Sequence, residues 1–357
     1  MKNKKHCAVV MATTGNMAFA LGNVLIGLKK YSPDLADDII IFSNDLKPND
    51  KKALKSIFPN RIKIKKFAFD LKSENNQEAI NVFTSMAYSK YECFNLLDKY
   101  ENIIWLDCDV LIKKDISGIL EYGQKTGVAL RGGISERATK GNFFPGADKL
   151  IDFTGGFGCN SGVFVLNDKL PRYNEITEWC YEKTILLKDY LLAADQGIIS
   201  LTIPHFKLTC TALPPEYNIF SGFVYFYPDT RIEHCYGPEK FWNFFDDKEW
   251  YENYRHWLIL GGSKGELKRL SLYEKLVYQK SLKNLKDHEL YWGYFFIDHL
   301  KSKYGEDAVI DAYLQLQREI LKNQFHSNDE AFDNSLRKNF QYFSSNFDYS
   351  EFLKREE

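Results

Sequence analysis

The sequence has little of what marks secreted, membrane-spanning or nucleic-acid-binding proteins. No apolar run approaches the 18 residues of a membrane-spanning helix, and the apolar stretch after the N-terminal lysines is too short for a signal peptide. The seven cysteines include no C-x-x-C pair, which argues against a zinc ribbon or a disulfide framework. Basic and acidic residues nearly cancel, 47 against 48. We therefore expect a cytoplasmic protein with no nucleic-acid partner.

What is present is a globular composition with alternating strand and helix patterns. The 357 residues are 45% hydrophobic, and a chain of this length buries roughly three quarters of its unfolded surface. The alternation predicts an α/β fold, a mixed and mostly parallel sheet flanked by helices, with ligands at the carboxyl ends of the strands. Strands are predicted at 7–12, 38–43, 61–67, 102–106, 127–131, 160–167 and 231–233, and helices at 17–30, 76–99 and 171–192.

Strand patterns fade after about residue 250, and helical patterns replace them. We therefore predict an α/β domain over residues 1–250 and a helical C-terminal extension over 251–357. Within the extension, residues 264–286 carry seven Lys or Arg against two Glu, interleaved with Leu and Tyr. This segment is either a solvated basic face packed on the core or a helix that lies on a membrane surface. The glycine-rich, charged stretch 131–158 predicts a long surface loop.

The most informative segment is Asp107-Cys108-Asp109, which follows the strand pattern 102–106. Side chains alternate along a strand, so we expect the two aspartates on one face and Cys108 on the other. Two carboxylates at one sheet edge repel each other unless a cation neutralises them, which suits a divalent metal. Taken alone, D-x-D is a weak signal, because two solvated aspartates that lead into a turn explain it at least as well.

Three further segments follow in a consistent order: Asn160-Ser161-Gly162-Val163 opening a strand, Asp195-Gln196 after a helix, and a His-x-x-Gly-x-x-Lys segment from His234 to Lys240. Together with D-x-D, they resemble glycosyltransferase family 8, the group of glycogenin and the bacterial lipopolysaccharide galactosyltransferases. The resemblance covers about residues 7–245. It implies a GT-A-type, Rossmann-like fold and a retaining, metal-dependent transfer of a hexose from a UDP-sugar to a glycan.

The resemblance also implies roles for individual residues. Asp107, Asp109 and His234 would be the metal ligands, and two carboxylates with one imidazole suit Mn²⁺, with Mg²⁺ as the alternative. Gly237 would let the backbone approach the phosphates, and Lys240 would place a positive charge beside them. The UDP-sugar and its metal would contact residues at the strand ends: Ala12, Thr13, Thr14, Asn16, Lys90, Asp107, Cys108, Asp109, Asn160, Ser161, Asp195, Gln196, His234, Gly237 and Lys240.

The implied catalytic residues are Asp195, Gln196 and Lys240. Asp195 would hydrogen-bond sugar hydroxyls, Gln196 would lie near the anomeric carbon, and Lys240 with the metal would stabilise the departing UDP. Retaining glycosidases use a carboxylate nucleophile, and an amide is a poor one, so we expect front-face transfer in which the departing phosphate oxygen takes the acceptor's proton. Structural interpretations stay open: a helix cap for Asp195, a strand start for Asn160 and Ser161, and a surface lysine for Lys240.

The chain departs from the family pattern at several positions. Thr14 stands where an aspartate is common, Met17 replaces a tyrosine-like residue, and Lys90 replaces an arginine, which keeps the charge but loses bidentate geometry. Phe241 replaces a proline. The changes at 14 and 90 motivate one alternative, a non-catalytic nucleotide-sugar or glycan-binding module. A haloacid-dehalogenase-type phosphatase also has D-x-D after a strand, but its later acidic pair is missing from this sequence.

Acceptor recognition is expected from segments outside the shared motifs. Phe143, Phe144, Phe153 and Phe157 could stack on sugar rings, with core packing as the alternative. An oligosaccharide or lipid-linked glycan acceptor, as in lipopolysaccharide biosynthesis, fits a cytoplasmic enzyme whose basic segment 264–286 touches the inner face of a membrane.

Overall fold

The computed structural model describes residues 4–69, 71–72, 84–221, 224, 227–237, 239–245, 247–267, 270–271, 274–275, 301 and 304–321. The chain divides into two compact units. The first comprises Met1–Phe241 and Asp247–Glu266, and the second comprises Trp242–Asp246 and Leu267–Glu357. The predicted domain boundary at residue 250 stays a prediction.

The strands of the described residues all belong to the first unit. They are β1 (Lys5–Ala12), β2 (Asp38–Phe42), β3 (Ile62–Lys65), β4 (Tyr100–Leu106), β5 (Val110–Ile112), β6 (Val128–Ile134), β7 (Phe157–Asn167), β8 (Thr211–Ala212), β9 (Ile219–Phe220) and β10 (Ile232–His234). The α-helices are α1 (Ala18–Tyr31), α2 (Pro48–Ile57), α3 (Glu92–Leu96), α4 (Leu120–Thr126), α5 (Glu136–Lys140), α6 (Tyr173–Leu186), α7 (Ala194–His205), α8 (Lys248–Ile259) and α9 (Glu306–Leu321), the last of which belongs to the second unit.

The central sheet has seven strands in the order β3-β2-β1-β4-β7-β6-β8. Strands β1 to β4 are parallel, β7 is antiparallel to β4 and β6, and β8 is parallel to β6. The mixed, mostly parallel sheet is confirmed. The chain leaves β1 toward β2 and β3 and later returns to place β4 on the other side of β1. Ligands of α/β sheets bind at such a switch point, beyond the carboxyl ends of the strands.

The core of this sheet comes from strands that are apolar on both faces. In β1 the residues from Cys7 to Met11 are buried, and in β2 every residue is. Helices cover both faces of such strands, which explains their continuous hydrophobic runs. Helix α8 packs on α1 in the same unit, where the Asn23 side chain donates to the Trp250 carbonyl at 2.7 Å. A side chain at Gly22 would collide with the Trp257 ring, so glycine allows this close helix contact.

The loop predicted over 131–158 is wrong in part, because short elements fill it. Strand β6 extends to Ile134, helix α5 follows, and β7 begins at Phe157. Several of its side chains are buried, among them Thr139 and Asn142. Elements of five residues carry too few apolar positions to produce a helical or strand period in the sequence.

The helix predicted over 76–99 is also largely wrong within the described residues. Residues 76–83 lie outside the described residues, Ser85–Tyr91 form a 3₁₀ helix, and only the five residues of α3 are α-helical. The Ser89 hydroxyl donates to the Met86 carbonyl at 2.6 Å, three residues earlier, which supports the tighter turn. Helix α2 and strand β5 were not predicted.

The helical extension over 251–357 stays a prediction. Its described part includes most of helix α8 and all of helix α9, and much of the segment 264–286 lies outside the described residues. Across the part of the chain that the structure describes, no helix combines the length and apolarity needed to cross a membrane.

Candidate active site

Asp107, Cys108 and Asp109 occupy a turn between β4 and β5, not the end of a strand as predicted. The two carboxylates nevertheless converge on one cluster, while the Cys108 thiol lies against β1 and donates to the Ala12 carbonyl at 2.9 Å. The turn, and not strand alternation, therefore separates Cys108 from the aspartates.

His234 meets this turn because β10 runs antiparallel to β5, with His234 directly opposite Val110. The Cys235 amide also donates to the Asp109 carbonyl at 2.9 Å. Ligand atoms of Asp107, Asp109 and His234 all lie within 4.8 Å of one another. Two carboxylates and an imidazole this close together fit Mn²⁺ or Mg²⁺, which prefer oxygen ligands and accept imidazole.

Gly162 makes room for the three ligands, a role that the sequence did not predict for it. Strand β7 is antiparallel to β4, and the Asp107 amide donates to the Gly162 carbonyl at 2.8 Å. A β-carbon at Gly162 would collide with the His234 ring and lie 2.9 Å from Oδ2 of Asp107. Its place within the Asn-Ser-Gly-Val segment was the available signal.

Each of the two aspartates of the turn forms an ion pair with a lysine. Nζ of Lys90 lies 3.2 Å from Oδ1 of Asp107 and 3.0 Å from Oδ2 of Asp195, and Nζ of Lys240 contacts Oδ2 of Asp109. The Lys90 side chain is only 6% exposed, so it is enclosed by these carboxylates. The surface-lysine interpretation of Lys240 is therefore wrong, because its ammonium group belongs to the cluster.

Burial and charge push the pKa values of the two aspartates apart. Burial raises the pKa of Asp107, and repulsion from Asp109 adds to this, so the pKa stays raised although Lys90 opposes it. Burial also raises the pKa of Asp109, but Lys240 and His234 outweigh it and hold that pKa well below its usual range. A divalent cation between the two carboxylates would favour the ionised form of both.

Asp195 and Gln196 lie in the first turn of α7, beside β7. Oδ2 of Asp195 accepts from the Ser161 hydroxyl at 2.8 Å, whereas the N-cap residue of the helix is Ala193. The helix-cap interpretation of Asp195 is therefore wrong. The intervening Ala194 has φ +40°, a strained conformation for a residue with a β-carbon, of a kind that is concentrated at functional sites.

The Gln196 amide is held at both ends. Its Oε1 accepts from the Ser161 backbone N–H at 3.2 Å, and its Nε2 donates to Oδ1 of Asn142 at 2.8 Å. Asn142 is itself buried and donates to the carbonyls of Ala138 and Thr139, both at 3.2 Å. Asn142 lies in the stretch predicted as a loop, where no motif in the sequence marks it as a site residue.

Trp105 is a second missed residue. Its Nε1 donates to Oδ1 of Asp107 at 2.7 Å, and Nζ of Lys90 lies 5.5 Å from its ring centroid. The indole thus orients a carboxylate and faces a cation. Nothing in the sequence separated this tryptophan from an ordinary core residue of a buried strand.

The predicted nucleotide-binding residues of the first strand lie at the carboxyl end of β1. Thr13 is buried, and the Thr14 hydroxyl donates to Oδ1 of Asn16 at 2.7 Å. The carboxylate of Asp45 accepts from the Gly15 amide here at 2.7 Å, which brings an acidic group beside Thr14.

Gly237 adopts φ +111°, which favours glycine, between His234 and Lys240.

Three of the four aromatic candidates for sugar stacking are buried, namely Phe143, Phe153 and Phe157. The rings of Phe143 and Phe153 pack with their centroids 5.3 Å apart. Core packing, the alternative interpretation, therefore applies to these three. Phe144 is 38% exposed and is the one of the four with substantial accessible surface.

Comparisons with known proteins identify the family and the fold of the chain. The family profile described as glycosyl transferase family 8 matches residues 8–245, two thirds of the chain. None of the curated proteins matches the chain in sequence. The solved galactosyltransferase LgtC, in complex with donor and acceptor sugar analogues, is similar with a TM-score of 0.52 and 15% identity, covering 72% of this chain and 98% of that one.

The bifunctional glycosyltransferase WbbM is similar with a TM-score of 0.51 and 16% identity, covering 71% of this chain and 50% of that one. These likenesses establish the GT-A fold, whose enzymes use a nucleotide-sugar donor and usually a divalent metal. The phosphatase alternative is excluded by the family match. The chain belongs to glycosyl transferase family 8, and glycosyl transfer is the class of reaction that this membership supports.

Proposed function

We propose that the chain is a retaining hexosyltransferase that uses a UDP-sugar and a divalent metal, Mn²⁺ or Mg²⁺. The observation that carries the proposal is the cluster of Asp107, Asp109 and His234, whose ligand atoms lie within 4.8 Å of one another. The cluster is joined to Asp195 through Lys90. A site for the diphosphate and a site for the sugar would thus be neighbours in one network.

Stabilisation of the leaving group would come from the metal and Lys240. When bound, the metal would act as a Lewis acid that stabilises the negative charge developing on the departing diphosphate. Nζ of Lys240 contacts Asp109 and lies 2.5 Å from the Cys235 carbonyl, so phosphate oxygens would offer it a new anionic partner close by. Gly237 has φ +111°, a conformation that favours glycine, and would let its backbone approach the phosphates.

The arrangement of Asp195 and Gln196 supports front-face transfer. The Asp195 carboxylate is engaged by Lys90 and by the Ser161 hydroxyl, which disfavours its use as a nucleophile. The neighbouring Gln196 offers a neutral amide that is already hydrogen-bonded at both ends. These residues would orient the sugar, and the departing phosphate oxygen would accept the proton of the acceptor hydroxyl.

The first test is thermal stabilisation by UDP, GDP and CMP, each with and without Mn²⁺. A ligand at 100 times its dissociation constant adds about 2.7 kcal/mol of stability, which a melting curve resolves easily. We expect stabilisation by UDP that depends on Mn²⁺, followed by turnover of one UDP-sugar in a screen. No response to any nucleotide would favour the non-catalytic binding module.

The acceptor is proposed to be a glycan, on an oligosaccharide or a lipid carrier such as a lipopolysaccharide precursor, at the cytoplasmic face of a membrane. The exposed ring of Phe144 follows Asn142 by two residues, and Asn142 holds Gln196. This places an aromatic surface close in sequence to the proposed reaction centre. Turnover with acceptors that differ only in their terminal sugar would test the assignment.

A further inference from the structure

Asn218 lies immediately before β9, outside every motif of the sequence analysis. It is only 2% exposed, and its side chain lies between two residues of the candidate site. Oδ1 of Asn218 is 2.9 Å from Nδ1 of His234, and Nδ2 donates to Oδ1 of Asn160 at 3.0 Å. A buried amide in this position controls which ring nitrogen of the histidine carries a proton.

The orientation of this amide follows from a backbone group. The Gly162 N–H donates to the Asn160 side chain at 3.0 Å, so the Asn160 atom at that place must be the oxygen. The Asn218 atom facing that oxygen must then be the NH₂ group, and its oxygen must face His234. Because a carbonyl oxygen only accepts, Nδ1 of His234 must be the donor.

We infer that Asn218 is a positioning residue that holds a proton on Nδ1 of His234 and leaves Nε2 as the ligand atom. Nε2 lies 3.2 Å from Oδ1 of Asp109, on the side of the ring that faces the cluster. Histidine ligands of metals are commonly oriented in this way through their other ring nitrogen. The inference rests on the proposed function in that it takes the cluster as the metal site.

A chain of hydrogen bonds that includes Asn218 joins the metal ligands to the proposed sugar site. The peptide groups of Gly162 hold Asn160 through the N–H and Asp107 through the carbonyl. Asn160, in turn, holds Asn218 and so reaches His234. Substitution of Asn218 would therefore remove the hydrogen bond that orients the His234 ring, without changing any of the three ligand residues.

The first experiment measures the dissociation constant of Mn²⁺, with and without UDP, from the free Mn²⁺ signal in electron paramagnetic resonance. We expect Asn218→Ala to weaken Mn²⁺ binding by about 10- to 100-fold, the usual effect of losing such a partner. Asn218→Asp keeps an acceptor for Nδ1 but loses the donor to Asn160, so it should bind Mn²⁺ more tightly than Asn218→Ala and more weakly than the wild type.

The matched control is Asn102→Ala. Asn102 is equally buried and also uses its side-chain amide in two hydrogen bonds, to Asn167 and to the His6 carbonyl, but it lies toward the amino end of β4. We expect it to lower the melting temperature without changing Mn²⁺ affinity. Equal Mn²⁺ affinities of wild type and Asn218→Ala, or equal weakening by both alanine variants, would overturn the inference.

The second experiment requires neither activity nor bound metal. Ring-¹⁵N NMR of the metal-free protein reports the protonation of both ring nitrogens of His234, with His234→Gln assigning the signals. We expect a protonated Nδ1 in the wild type and its loss in Asn218→Ala. An unprotonated Nδ1 in the wild type would overturn the inference. Failure of the wild type to bind Mn²⁺ would instead refute the proposed metal site, while the NMR result still decides the role of Asn218.

Discussion

Two lysine–aspartate clusters lie at opposite ends of the parallel strands. At the amino end, Asp38 of β2 accepts from Nζ of Lys5 at 2.7 Å, from Nζ of Lys63 at 2.6 Å and from the Tyr100 hydroxyl at 2.6 Å. The carboxylate is buried, but the two lysine side chains are 51% and 44% exposed. The single negative charge of Asp38 is thus paired with two solvent-exposed lysines and also accepts a hydrogen bond from a tyrosine hydroxyl.

The cluster at the carboxyl end has the opposite balance. Three carboxylates, of Asp107, Asp109 and Asp195, share the ammonium groups of Lys90 and Lys240. The first cluster is satisfied by its own chain and ties strand ends together. The second holds more carboxylates than lysines in a partly buried place, which is an arrangement that a further cation completes. The charge balance and the added imidazole of His234 separate a structural cluster from a candidate metal site.

The largest expected effect is that of Asp109→Asn at the carboxyl end. We expect turnover to fall roughly 10³-fold, because the several kcal/mol that a metal contributes to leaving-group stabilisation would be lost. Stability in urea should change by no more than about 1 kcal/mol, since relief of repulsion with Asp107 offsets the lost pair with Lys240. Turnover close to that of the wild type would contradict the metal-ligand assignment.

Lys240→Met should act on turnover and metal affinity in opposite directions. Turnover is expected to fall about 10²-fold, as for loss of one charge-stabilising donor. Mn²⁺ affinity without nucleotide should rise severalfold, since the lysine no longer competes for Asp109. A titration of Mn²⁺ against both proteins checks this. Weaker Mn²⁺ binding by the variant would show that Lys240 strengthens metal binding rather than competing with the metal for Asp109.

Asn142→Ala tests the support of Gln196. We expect kcat to fall about 10- to 100-fold with little change in KM for the donor, because a small misplacement of a group near the reacting centre has effects of this size. Steady-state kinetics beside Asn102→Ala as the control would separate this from general destabilisation. A raised KM with unchanged kcat would assign Asn142 to donor binding instead.

Asp38→Asn should affect stability alone. Burial raises the pKa of Asp38, but the bonds from Lys5, Lys63 and Tyr100 outweigh it and lower that pKa below its usual value. Its stabilisation is therefore complete above the unfolded pKa of about 3.9 and is lost as the pH falls through the lower folded value. We expect a loss of about 1–3 kcal/mol at neutral pH, with turnover unchanged.

Urea unfolding as a function of pH checks the Asp38 prediction. The difference between wild type and variant should shrink as the pH falls below about 4, where the Asp38 carboxyl of the unfolded chain becomes protonated before that of the folded chain. The same difference at about pH 3 as at about pH 7 would show that charge plays no part in this cluster.

The apolar runs of β1, β2 and β4 sufficed to predict the parallel part of the sheet, because strands buried on both faces need continuous hydrophobic residues. The resemblance to glycosyltransferase family 8 likewise implied that Asp107, Asp109 and His234 come together, and their ligand atoms lie within 4.8 Å of one another. The first prediction depends on runs that are local in the sequence, and the second depends on short motifs spread along it.

Only the tertiary structure decided which residues support the site. Asn218 is 58 residues from Asn160 and 16 from His234, and Asn142 is 54 from Gln196. Single hydrogen bonds over such separations leave no periodic or spaced signal in the sequence. Lys90 shows the same limit, since its charge was predicted to contact the UDP-sugar, whereas its enclosure between Asp107 and Asp195 depends on how the 3₁₀ helix Ser85–Tyr91 packs against helix α7 and beside the turn after β4.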